Sequence, residues 1–217
     1  MKRRAFTQVA GGAALAATLG SGQALAQARK PQAGTDYMAL DPRAPVEAPA
    51  GKVEVVEFFW YSCSHCNAFE PSLQTWVKNL PKDVSFRRAP VAFQETFVAQ
   101  QRLYFTLEAM GLVEKLHGKV FVAIHAEKLN LSRPEAIVDW AVQQGVEKDK
   151  FLAQYNSFAV ATKAGKSTQL QNAYKVEGVP ALGVAGRFYT DGSLAGNMQR
   201  ALMVVDSLVA DVRAGRA

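Results

Sequence analysis

The sequence predicts an α/β fold: a small mixed sheet with helices on its faces, interrupted by an all-helical insertion. Three observations carry this. The run "KVEVVEFFWY" at 52–61 is dense in β-branched and aromatic residues and reads as a central strand. A helical period follows it, and then a second strand-like run, "VSFRRAPVAF" at 84–93, so two strands flank one helix and imply a parallel βαβ pair. From about 96 to 174 the period is almost wholly helical, after which the chain closes with two short strands and a helix.

Taken in order, the segments 27–51 are rich in Pro, Ala and Gly and predict an extended arm with a short strand at 37–40. After the central strand, Phe69, Leu73, Trp76, Val77 and Leu80 recur at helical spacing, and Pro71 inside that pattern is expected to kink the helix. In the helical block, Ala99, Leu103, Leu107 and Met110 mark one helix that stops at Gly111. Leu112, Leu116, Val120 and Ile124 mark the next. Ser132 and Glu135 have capping-box spacing around Pro134, ahead of a helix that buries Ile137, Trp140 and Ala141. "GVP" at 178–180 breaks the helical period. "ALGVAGRFYT" then reads as a hairpin turning at Ala185 and Gly186, with a further turn at Asp191. A last helix over about 197–212 presents Leu202, Val205, Val209 and Val212 to the core.

Residues 1–26 have the layout of a signal peptide. Lys2, Arg3 and Arg4 form a positive start, 6–19 is apolar and rich in Ala and Gly, and "ALA" at 24–26 is a small-residue cleavage pattern. "RRAF" at 3–6 resembles a twin-arginine signal and fits a Sec signal equally well. Removing this segment lowers the formal charge from +6 to +3. A modest positive balance without a basic stripe argues against nucleic acid as a partner.

The remaining length can bury a core without covalent staples, which bears on the two cysteines, Cys63 and Cys66, in "CSHC". The shortest loops gain least from closure, so a disulfide this local is a poor staple. A structural zinc site needs four ligands, and no second cysteine pair exists; His117 and His125 lie in the helical block without a zincin spacing and read as ordinary helix residues. No metal and no cofactor is expected. The pair itself stands where the central strand turns into a helix. There, unpaired N–H groups and the helix dipole favour the thiolate of Cys63, His65 can add positive charge, and Cys66 one turn on can resolve a mixed disulfide. Glu57 shares a strand face with Val53, Val55 and Phe59, while Glu54 lies on the other. A carboxylate in such company is costly unless it has a task, or unless that face is open to solvent.

"EFFWYSCSHCNAFE", followed much later by "GVPALGVAGRFY", resembles the DsbA family of periplasmic thiol:disulfide oxidoreductases, within the thioredoxin superfamily. The resemblance implies a thioredoxin fold at 27–95 and 175–217 around a helical insertion domain at 96–174. It assigns Cys63 as the nucleophile, Cys66 as the buried resolving cysteine, His65 as the residue that stabilises the reduced thiolate, and Glu57 as a buried acid that assists proton transfer. Val179 and Pro180 match a cis-proline loop beside the cysteines, where an extended substrate would pair by strand addition. It further implies a periplasmic monomer that oxidises reduced exported proteins and is itself reoxidised by a DsbB-type inner-membrane quinone reductase. Ser64 departs from the family's familiar proline at that position and bears on oxidising strength. A thioredoxin-like reductase or an isomerase is the same-fold alternative, and a peptide-binding chaperone with an incidental cysteine pair is the alternative of another class.

Overall fold

The computed structural model describes residues 29–216, and the signal-peptide expectation at 1–26 lies outside them. The short strand β1 is Met38–Ala39, and the central strand β2 is Val53–Phe59, all seven of whose residues are buried. Helix α1, Ser64–Lys78, carries Pro71 in its interior and leads to β3, Val84–Pro90. Five helices follow after a 3-10 turn: α2 (Val98–Ala109), α3 (Val113–His125), α4 (Pro134–Gln143), α5 (Lys148–Tyr155) and α6 (Phe158–Ala173). Strands β4 (Ala181–Val184) and β5 (Phe188–Asp191), the one-turn α7 (Gly192–Ala195) and α8 (Met198–Arg213) close the chain.

The five strands form one mixed sheet in the order β1-β5-β4-β2-β3. Only β2 and β3 run parallel, across the α1 crossover; β4 and β5 pair antiparallel through a turn at Ala185 and Gly186, both at positive φ. That combination suits the right-handed strand twist, and the Arg187 N–H closes the turn on the Val184 carbonyl at 2.9 Å. Val55, with Leu182 and Val184, packs against α1 and α8, while Val56, Phe58 and Ala181 pack with Leu170 of α6 and Tyr174 just after it on the opposite face. A third cluster joins the end of β2 to the helical block: Phe59, Tyr61 and Cys66 pack with Leu103, Leu116 and Phe121.

Burial of β2 on both faces corrects one open point. The face bearing Glu57 is not solvated: Glu57 is 1% exposed, and Glu54 on the other face is equally buried. Each meets an arginine of β3. Glu57 lies directly opposite Arg88 in the parallel register, and Glu54 reaches Arg87 two positions along from its own partner Ser85.

Two local expectations fail. Ser132 does not cap α4; Arg133 holds the cap position without a side-chain bond, and the Ser132 hydroxyl instead donates to Asn130 Oδ1 at 2.6 Å. An Asx interaction two residues back satisfied the hydroxyl before the helix could. Asp191 begins a helical turn rather than a simple reversal, its carboxylate accepting from Ser193 N and Leu194 N.

Candidate active site

Cys63 is the N-cap residue of α1, in an extended conformation, and its sulfur accepts the Cys66 N–H at 3.3 Å. Sulfur here does what a serine or aspartate oxygen does at other helix starts, satisfying an orphan donor of the first turn. Its thiol also lies 3.4 Å from the Val179 carbonyl, which brings the segment before β4 against the cysteine pair; the Val179–Pro180 peptide is cis. Cys63 is partly open to solvent and Cys66 is 1% exposed, and both are free thiols.

This asymmetry separates the two acidities. The hydrogen bond from the Cys66 side chain is the largest influence on Cys63. Burial opposes it, but the Cys66 and His65 backbone N–H groups and the His65 charge act with it, and the thiol is lowered to about 6. The exposed His65 thus contributes first through its backbone, with its charge the smallest of these influences. Cys66 is driven strongly the other way, by burial first and then by hydrogen bonding and repulsion from Cys63. One thiol is poised as an anion and its neighbour is held protonated.

Beneath the pair lies a buried ionic network. Burial pushes Glu57 up to about 8, against the pull of Arg88 and with the repulsion of Glu70. Arg88 Nε donates to Glu57 at 2.9 Å and its Nη2 to Glu70 at 2.8 Å. Glu70 also accepts from Gln74 at 2.9 Å. Burial would raise it, but His117, Arg88 and Gln74 outweigh that and hold it low. Two carboxylates sharing one guanidinium divide their roles this way: Glu57 keeps the proton and Glu70 the charge. Burial lowers His117 against the opposing pull of Glu70; Tyr61 Oη lies 2.8 Å from its Nδ1, and its Nε2 is 3.4 Å from Glu70 Oε1.

Of the residues the sequence singled out, Cys63 lies against Cys66 and Val179, and His65, Val179 and Pro180 border one opening. A cleft of about 530 Å³ begins there, lined by His65, Phe69, Val179, Pro180, Asp191 and Met198 among others. Glu57 lies below, in the network behind Cys66. Sequence reasoning missed Glu70, Arg88, His117 and His125. Glu70 was within reach, since it stands four residues after the buried Cys66 on the same helix face. Arg88 required the β2–β3 register. The two histidines were read as ordinary helix residues. In the structure both reach Tyr61, His117 at its hydroxyl and His125 at its carbonyl, and no local pattern announces a partner some sixty positions away. Among the described residues no group of three or more His, Cys, Asp and Glu is placed to hold a metal.

A thioredoxin-like sheet with a Cys-X-X-Cys at the first helix's N-terminus and a cis-proline loop against it defines the thiol:disulfide oxidoreductases as a class. Within that class, residues 54–203 match the DSBA-like thioredoxin domain, and the chain belongs to that family. It is 40% identical over 195 residues to the thiol:disulfide interchange protein DsbA of Burkholderia cepacia, covering 90% of this chain and 92% of the relative. Identity to the DsbA of Bordetella parapertussis is 41% over 214 residues, covering 98% of this chain and all of the relative. The crystal structure of Pseudomonas aeruginosa DsbA superposes with a TM-score of 0.82 at 41% identity, over 87% of this chain and 97% of that one. The chain is a protein thiol:disulfide oxidoreductase of the DsbA type.

Proposed function

We propose that the chain donates its Cys63–Cys66 disulfide to reduced proteins newly exported to the periplasm. A substrate thiolate attacks the Cys63 sulfur, the bond to Cys66 breaks, and Cys66 leaves with the electron pair and takes up a proton. A second substrate thiolate then attacks the substrate sulfur of the mixed disulfide and expels Cys63 as a thiolate. The substrate dithiol is oxidised by two electrons and the enzyme is reduced by two. The separation of the two thiols carries this reading: a Cys63 lowered to about 6 is a good leaving group, and stabilising its anion stabilises the reduced enzyme.

Glu57, protonated up to about pH 8, is suited to supply the proton that Cys66 requires on leaving, and the strong upward shift of Cys66 favours that transfer. His65 helps to hold the Cys63 anion. An extended substrate segment pairs with the backbone at Val179 beside Pro180 and lies along the adjoining cleft. The residues 27–95 and 175–217 form the thioredoxin-like part, 96–174 the helical insertion domain, and 1–26 the cleaved signal that takes the chain to the periplasm. The reduced enzyme is returned to its disulfide by a DsbB-type membrane quinone reductase. Equilibration with glutathione tests the direction. A potential near about −120 mV, the established figure for DsbA itself, supports the oxidase, and one near about −270 mV overturns it in favour of a reductase.

A further inference from the structure

The peptide unit joining Tyr61 to Ser62, one residue before the nucleophilic cysteine, is hydrogen-bonded at both ends by side chains of the helical block. His125 Nε2, in the last turn of α3, donates to the Tyr61 carbonyl at 2.8 Å, and the Ser62 N–H donates to Gln100 Oε1 of α2 at 3.2 Å. Gln100 is 2% exposed and uses its amide group as well, donating to Ser62 Oγ at 2.7 Å and to the Leu131 carbonyl at 3.1 Å. The Tyr61 side chain is held in turn at His117 Nδ1. In a sheet, β3 or β4 would satisfy such groups. Here β2 has already ended at Phe59, and the ladder does not reach them.

We propose that Gln100 and His125 are positioning residues of the redox site: gripping one peptide plane from two helices, they set the angle at which Cys63 enters α1. Cys63 depends on that angle because its sulfur must face the first-turn N–H groups and the Cys66 thiol at once. In the oxidised enzyme the covalent ring fixes Cys63 against Cys66 whether or not the grip holds. Loosening the grip therefore costs the reduced form more than the oxidised form, and the enzyme becomes less oxidising. This rests on the thiol-exchange reading of the same site, and it gives the helical block a part in tuning the cysteines beyond covering Cys66.

The test compares the full chain with His125→Ala, His125→Gln and Gln100→Met. Three quantities are read: the equilibrium with glutathione, the pH at which the Cys63 thiolate absorbance appears, and the unfolding temperatures of both redox forms. His125→Ala, which removes one hydrogen bond, is expected to shift the glutathione equilibrium about threefold to tenfold toward the enzyme disulfide, and Gln100→Met, which removes three, at least as far, each raising the thiolate titration in step. His125→Gln, whose amide can still donate to the Tyr61 carbonyl, is expected to stay within about twofold of the parent. Should Ala at 125 prevent folding, Gln100→Met decides the matter alone, since its chain has nearly the shape of glutamine. Equal loss of stability in both redox forms, with equilibrium and titration unchanged, overturns the proposal and leaves these side chains as ordinary packing. A parent chain that equilibrates at the reducing end overturns the oxidase direction instead, and the positioning role is still judged by variant against parent.

Discussion

The two parts of the molecule that meet at Cys63 contribute different things. From β2, β3 and the start of α1 come the groups able to react, Cys63, Cys66 and Glu57 with its Arg88 partner, with the Val179 carbonyl set against Cys63 from the segment before β4. From α2 and α3 come groups that only hold: Gln100, His117 and His125 bond to Tyr61 and Ser62, and the apolar wall of Leu103, Leu116 and Phe121 packs in the same cluster as Cys66. The lesson is that the acidity of a thiol is set from two sides. The Cys66 thiol first, and then the N–H groups of the helix start, lower Cys63, while burial, to which a separate block of helices contributes, raises Cys66 only three residues away.

The severest break is on the reacting side. Cys63→Ser should abolish turnover in an assay of oxidative refolding of a reduced protein, because the other thiol, Cys66, has neither the exposure nor the raised acidity of Cys63; activity surviving in that variant would point to the peptide-binding alternative. Next is the network. Arg88→Met strands Glu57 and Glu70 together without a cation and should cost about 3–5 kcal/mol in denaturant unfolding near pH 8, as when one partner of a buried ion group is removed. The loss should shrink toward pH 4, where the carboxylates can take up protons.

Two pH effects of opposite sign follow from the shifted groups, each visible in unfolding midpoints. Cys63 falls from 9.0 to about 6 on folding, so the reduced protein gains stability relative to the oxidised one as pH rises from about 6 toward 9, and loses it on descent through 6. Glu57 rises from 4.5 to about 8, so the folded state holds a proton that the unfolded state has released, and stability falls with rising pH across that interval. Glu57→Gln should flatten this second slope in both redox forms while leaving the redox difference in place. A redox difference that stays constant from pH 6 to 9 would mean that the thiolate of Cys63 is not stabilised by the fold.

His65→Leu should make the enzyme less oxidising by a few-fold in the glutathione equilibrium. The size is modest because the backbone N–H of residue 65 survives and the imidazole charge is the smallest of the influences on Cys63. The gentlest contrast lies at helix starts. Asn197→Ala removes a bond to the Arg200 N–H and should cost about 1 kcal/mol, while Ser132→Ala, at a position that makes no cap, should stay within about 0.5 kcal/mol.

Much of this was readable from residue order alone because it rests on short-range physics. The β-branched run of β2, the 3.6-residue periods, the hairpin at Ala185 and Gly186 and the thiol pair at a strand-to-helix junction all depend on neighbours a few positions apart, and these were anticipated. The task of Glu57 could be suspected from its apolar face, and its burial settles that the face is dry. Register and packing decided the rest. Only the parallel alignment sets Arg88 opposite Glu57, and only the return of α3 over the end of β2 brings His117 and His125 to Tyr61. Histidines that look unremarkable within their own helix become partners of the active-site loop because a hydrogen bond is specified by where two groups meet in space, which no local spacing encodes.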